Sequence, residues 1–135
     1  MINYTNLDQS FILTGLGIDA ETADCYLLSI NNVSERHVIP EGETYSSILE
    51  EHTCCYPCWS VYALLKQLPY RITVWDDCAG RTGARIDYKL ELIPGTIIAY
   101  VDSSHHTIIS RPLDINPIAE IIIVLSAVLD IVKAL

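Results

Sequence analysis

The segment from Asn116 to Leu135 most constrains the fold, because its side chains are apolar on almost every side. Asn116 suits the N-cap of a helix and Pro117 suits the first helical turn. The uncharged run from Ile121 to Leu129 is shorter than the roughly 20 apolar residues that a membrane-spanning helix needs. We therefore predict a long helix that lies in the core or in a subunit interface.

The middle of the chain predicts a sheet. Apolar side chains alternate strictly with charged ones through the run Ile86, Asp87, Tyr88, Lys89, Leu90, Glu91 and Leu92. This alternation is typical of a strand with one solvated face. Further strands are predicted over Arg71 to Asp76, Ile97 to Val101 and Thr107 to Ser110. Short turns link the four strands, which favours an antiparallel meander.

The first half of the chain predicts mainly helices. Capping and spacing predict helices over 7–16, 21–30 and 45–51, and the Asn, Ser, Pro and Gly residues of 31–42 predict a loop. Pro57 and Ser60 suit the start of a central helix from Cys58 to Leu68, which Pro69 ends. We expect an α+β fold, in which a sheet of about four strands is covered on one face by the central helix and the last helix.

Size and charge limit the classes of function. The chain has 135 residues, which predicts a single domain over 1–135. Half of the residues are hydrophobic, so we expect a homo-oligomer. The net charge of −9 argues against general nucleic-acid binding and against anionic membranes. No secretory signal is recognisable at Met1, so we expect a cytoplasmic protein.

One candidate site is a zinc centre. Cys55 and Cys58 have the spacing of zinc ligands, and His52 and Cys78 are candidates to complete the set. The alternative is that the small thiols pack as ordinary hydrophobic side chains. No cofactor is otherwise indicated.

A second candidate is a cysteine nucleophile. At a helix start Cys58 would have its thiolate stabilised by unpaired amides, with His105 or His106 as the base. The order of Cys58, a strand led by Pro94-Gly95, and a histidine before the next strand is similar to papain-like cysteine hydrolases. That resemblance implies a hydrolase, whereas a hairpin tip with two solvated histidines explains the same residues.

A third candidate is an anion pocket. Arg81 and Arg85 form the one compact basic region of an acidic chain, and Trp75 is close enough in sequence to stack on a ligand. The alternative is a hairpin turn whose charges keep the protein soluble. The pairs Glu50-Glu51 and Asp76-Asp77 are expected to be solvated, because adjacent strand residues point to opposite faces.

Several segments together support one more resemblance: 6–10, 16–26, the run Pro57-Cys58-Trp59-Ser60 with the leucines that follow it, and Asn116-Pro117 before an apolar helix. In these segments the chain resembles small proteins encoded by phages and prophages of gut Bacteroidales. The resemblance implies a role in host takeover, counter-defence or virion assembly, and no activity.

These observations favour a non-enzymatic accessory protein of a phage or mobile element that binds a host protein or a small anionic ligand. A papain-like hydrolase and a zinc-stabilised binding module are the alternatives.

Overall fold

The computed structural model describes residues 3–31, 33–52, 54–76, 84–93 and 97–133. Contacts within the chain divide it into two compact units, Met1–Gln67 and Leu68–Leu135, and each is described by itself. The single domain over 1–135 stays a prediction.

The first unit contains three helices and three strands. In chain order these are α1 (Leu7–Gly15), β1 (Cys25–Ile30), β2 (Val33–Val38), α2 (Tyr45–Glu51), β3 (Cys55–Cys58) and α3 (Val61–Leu65). A 3-10 turn over Ala20–Thr22 precedes β1. The strands form an antiparallel sheet in the order β2-β1-β3, so β1 is central and β2 and β3 are edge strands.

The second unit contains a four-stranded antiparallel sheet and one long helix among its described residues. The strands are β4 (Arg71–Asp76), β5 (Ala84–Ile93), β6 (Ile97–Val101) and β7 (Thr107–Pro112), and the helix is α4 (Pro117–Lys133). They pair in the order β4-β5-β6-β7, which is a meander. The predicted α+β class and the predicted four-stranded antiparallel sheet are confirmed.

The first sheet is packed on both faces. Alternate residues of a strand point to opposite faces. Cys25, Leu27 and Cys58 form one buried cluster against Leu7 of α1. Cys55 lies in a second buried cluster, on the opposite face of the sheet. The α2 residues Tyr45 and Ile48 and the partly buried β1 residues Tyr26 and Leu28 complete this cluster. The two helices therefore lie on opposite faces of this sheet.

The second sheet packs against α4. The buried residues in the described part of α4 are Pro117, Ile118, Ile121, Ile122, Val124, Leu125 and Val128. Ile72, Ile98 and Tyr100 are buried on the strands. Arg111 of β7 donates to Glu120 of α4 through two guanidinium nitrogens, which fixes the helix on the sheet. Of the helices in the described part of the chain, none has the length and apolar run needed to span a bilayer.

Three predictions for the first unit were wrong. Residues 21–30 form a 3-10 turn and then β1 instead of a helix, and the predicted loop 31–42 contains β2. The predicted central helix from Cys58 to Leu68 is only Val61–Leu65, because Cys58 is the last residue of β3. Pro57 fits β3 because this is an edge strand, where a missing N–H is tolerated. The covering of the second sheet by a central helix stays a prediction.

Candidate functional site

The thiols of the predicted zinc motif lie on opposite faces of the first sheet. Cys55 contacts the cluster beneath α2, whereas Cys58 contacts the cluster beneath α1. The spacing of three residues brings side chains together on a helix but separates them on a strand. Cys55 and Cys58 therefore do not face a common metal position, and the alternative zinc set of Cys55, Cys58, Cys78 and His52 stays a prediction.

The thiol of Cys58 is poorly placed for nucleophilic attack. Its side chain is 0% exposed, and its sulfur donates to the Thr5 carbonyl at 3.3 Å. Contact with the Cys25 thiol and burial both raise the pKa of Cys58. A buried, protonated thiol is not an activated nucleophile. The predicted activation at a helix start is corrected, because the N-cap of α3 is Ser60.

A buried polar cluster holds the strand-to-helix junction that follows Cys58. The Ser60 N–H donates to Asp24 Oδ1 at 2.9 Å, and the Ser60 hydroxyl donates to Asp24 Oδ2 at 2.5 Å. Trp59 is 0% exposed, and its Nε1 donates to the Thr22 hydroxyl at 2.9 Å. The Trp59 N–H donates to Thr5 Oγ1 at 3.1 Å. These bonds fix the junction at Ser60 and hold Trp59 in the core, as predicted for Trp59.

The predicted histidines have local partners. The ring of His52 stacks on Tyr26 at 6.1 Å between centroids, and His37 stacks on the same tyrosine at 5.2 Å. His106 lies 3.6 Å from Asp102 and is largely exposed. His105 precedes it in the turn between β6 and β7.

Other predicted site residues are only partly covered by the structure. Arg81 and Cys78 lie outside the described residues, as does the turn at Gly80 to Gly83. Backbone pairing places Trp75 opposite Arg85 on β4 and β5. In the described part of the chain no three side chains of the types His, Cys, Asp and Glu converge on a common metal position.

The described residues of the second unit form an open cleft of about 720 Å³ on one face of the sheet. The polar residues that line it are Arg71, Asp87, Lys89, Glu91, Asp102, Ser103, Ser104 and His105. Strand register puts Arg71, Asp87, Lys89 and Glu91 on one face, and the hydroxyl of Thr73 donates to Asp87 across the two strands at 2.7 Å. Val101 of β6, 8% exposed, lies at the same register level as Lys89.

Two cations lie side by side in this cleft. Arg71 and Lys89 are directly opposite each other in the β4–β5 register, and both are exposed. Like charges at directly opposite positions destabilise a sheet. Among the described residues neither side chain forms an ion pair with a carboxylate. The pair is therefore a candidate position for an anionic group.

Two of the three carboxylates that line the cleft accept hydrogen bonds from other described residues. Asp87 accepts the Thr73 hydroxyl, and Asp102 Oδ1 accepts the N–H groups of Ser104 and His106 at 2.9 and 2.8 Å. These backbone hydrogen bonds, led by that from His106, lower the pKa of Asp102. Glu91 is left as the carboxylate that faces the cleft without a hydrogen bond to another described residue.

His105 lines the cleft in a backbone conformation that favours glycine. Its φ is 64°, in the left-handed region, and its N–H donates to the Asp102 carbonyl at 3.1 Å. A non-glycine residue there costs about 1–2 kcal/mol.

This cleft was not predicted from the sequence, because only basic residues that are close together along the chain were considered as an anion site. Arg71 and Lys89 are far apart in sequence and meet only through the β4–β5 register. The available signal was the pairing of two predicted strands, which brings these residues together only once the turn length between them is known.

Comparison with known proteins adds no assignment: the chain matches no family model, no curated protein and no solved structure.

Proposed function

We propose that this protein acts by binding, and that the cleft on the second sheet takes a small ligand that carries an anionic group. The observation that carries the proposal is the opposed pair of Arg71 and Lys89, both exposed and without an ion-pair partner among the described residues. An anion between them would replace repulsion by two charge-assisted hydrogen bonds.

The rest of the lining limits the ligand further. Arg71 offers a planar set of donors that suits carboxylate or phosphate, and Lys89 adds a point charge. Glu91 and Asp102 add negative charge near the same cleft. A ligand with one anionic group and a neutral or cationic remainder fits this lining better than a polyanion, which also agrees with the net charge of −9.

Calorimetric titration with inorganic phosphate and with acetate tests the proposal. We expect weak saturable binding, with a Kd on the order of 1 mM or about −4 kcal/mol, because only part of the natural ligand is present. Lys89→Gln should abolish the heat of binding. Lys66→Gln, a control at an exposed lysine of the first unit, should leave it unchanged.

Two results would contradict this function. One is the absence of saturable heat with either anion at concentrations up to tens of millimolar. The other is equal binding by the wild type and the Lys89→Gln variant, which would place the anion elsewhere on the protein.

The biological setting proposed here follows the resemblance to phage and prophage proteins. In that setting the ligand or partner comes from the host cell, and binding serves takeover, counter-defence or assembly. Homo-oligomerisation also stays a prediction. Most apolar side chains in the described part of α4 are buried, and Ile123 and Val132, 43% and 47% exposed, are those that a partner subunit would cover.

A further inference from the structure

Cys25 and Cys58 are two buried thiols that the proposed ligand cleft does not use. They lie directly opposite each other on β1 and β3, and their side chains are 3% and 0% exposed. Both are free thiols in this structure. Both belong to the same buried cluster, so the two side chains pack together on one face of the sheet.

The backbone spacing at this pair suits a disulfide. The Ser29 N–H donates to the Cys54 carbonyl at 3.1 Å. Hydrogen-bonded pairs alternate along antiparallel strands, so Cys25 and Cys58, four residues away on each strand, form a pair of the same type. The Cα atoms of such a pair are about 5.5 Å apart, within the range of about 4.4–6.8 Å that disulfides span.

The two thiols differ in their surroundings. Arg36 Nη1 lies 3.8 Å from the Cys25 sulfur. The hydrogen bond from Cys58 and, to a smaller extent, Arg36 lower the pKa of Cys25 against the effects of burial and Asp24. The Cys58 thiol keeps its proton, because the same contact and burial raise its pKa. One sulfur is therefore suited to attack and the other to resolve the product.

Arg36, whose guanidinium lies beside the Cys25 sulfur, is exposed to solvent. Arg36 lies on the edge strand β2, which is exposed at every position except His37. Its guanidinium lies 4.3 Å above the ring of Tyr4, itself 36% exposed. A small oxidant can therefore approach the Cys25 sulfur wherever the Arg36 side chain moves aside.

We propose that Cys25 and Cys58 form a two-thiol redox centre that reacts with hydrogen peroxide. The Cys25 thiolate attacks one peroxide oxygen, the O–O bond breaks, and hydroxide leaves, which gives a sulfenic acid at Cys25. The Cys58 sulfur then attacks the Cys25 sulfur, the S–O bond breaks, and the Cys58 proton leaves with the departing hydroxyl as water. The product is a disulfide between β1 and β3, and its formation removes the donor that the Thr5 carbonyl accepts.

The test treats the reduced full-length chain with hydrogen peroxide, blocks the remaining thiols with iodoacetamide, and identifies linked peptides by mass spectrometry. We expect a Cys25–Cys58 link that forms more slowly in Arg36→Gln than in the wild type, because the guanidinium beside the Cys25 sulfur stabilises its thiolate. Lys66→Gln, a loss of positive charge elsewhere in the first unit, should react at the wild-type rate.

A second variant separates the two steps. In Cys58→Ser the reaction should stop at the Cys25 sulfenic acid, which dimedone traps. Modification of the exposed Cys54 with Cys25 left intact, a link from Cys25 to Cys54 or Cys55, or equal rates for the wild type and Arg36→Gln would overturn the proposal. If Cys58→Ser does not fold, the rates of link formation in the wild type and Arg36→Gln still test the proposal, because Arg36 is on an exposed strand and its replacement should not disturb the fold.

Discussion

The two antiparallel sheets of this chain differ in how their faces are used. The sheet β2-β1-β3 has α1 on one face and α2 on the other, so its alternate residues are buried on both sides. The sheet β4-β5-β6-β7 buries one face against α4 and exposes charged side chains of β4 and β5 on the other. Thiols are enclosed in the first sheet, while groups able to bind a ligand are exposed on the second.

This difference follows from the residue patterns. On β5 the charged side chains of Asp87, Lys89 and Glu91 share the face opposite the packed one. A face of this kind stays solvated, because burying unpaired charges costs several kcal/mol each. On β1, by contrast, Cys25 and Leu27 face one helix and Tyr26 and Leu28 face the other. No face of that strand is available to a ligand.

The largest expected effect concerns the enclosed sheet. Trp59→Ala should lower the free energy of unfolding by about 3–5 kcal/mol, because it leaves a large cavity and removes the partner of the Thr22 hydroxyl. Tyr62→Ala, at a neighbouring aromatic that is 67% exposed, should change it by less than about 1 kcal/mol. Denaturant unfolding measures both. Equal effects of the two substitutions would show that the enclosed region is not packed around Trp59.

The next effect is smaller and of opposite sign. Lys89→Gln should raise the free energy of unfolding without ligand by about 0.2–1 kcal/mol, because it removes the repulsion of Arg71 across the strands. The same substitution is expected to abolish anion binding, which is the usual conflict between stability and function at a binding site. The matched control Lys66→Gln should not stabilise the protein. A Lys89→Gln variant that is less stable than the wild type would mean that the cation pair is already neutralised.

The second unit was predictable from the sequence, whereas in the first only the helices α1 and α2 were. Strict alternation from Ile86 to Leu92 identifies β5, and the cap at Asn116-Pro117 identifies the start of α4. In the structure the Asn116 Oδ1 accepts the Ala119 N–H, as expected of an N-cap. β1 is buried on both faces, so its apolar residues lack the period of two that marks a strand. β2 is an exposed edge strand without an apolar face, and its polar residues are those of a loop.

The sites were less predictable than the elements. Cys55 and Cys58 have a spacing that suits a shared ligand set on a helix or loop but separates the two side chains on a strand, so the zinc alternative depended on the element that carries them. Arg71 and Lys89, and likewise Cys25 and Cys58, are brought together by strand register. Register depends on turn lengths and packing over the whole sheet, which local patterns do not contain.

The most direct test of the open face is an NMR titration of the isotope-labelled protein with inorganic phosphate, with sodium chloride at matched ionic strength as the control. We expect saturable shifts of the backbone amides of Arg71, Lys89 and Ser104 in the wild type and none in Lys89→Gln. The amides of Cys25, Leu27 and Cys58 should stay unchanged. Shifts that the chloride control reproduces, or saturable shifts confined to the first unit, would contradict it.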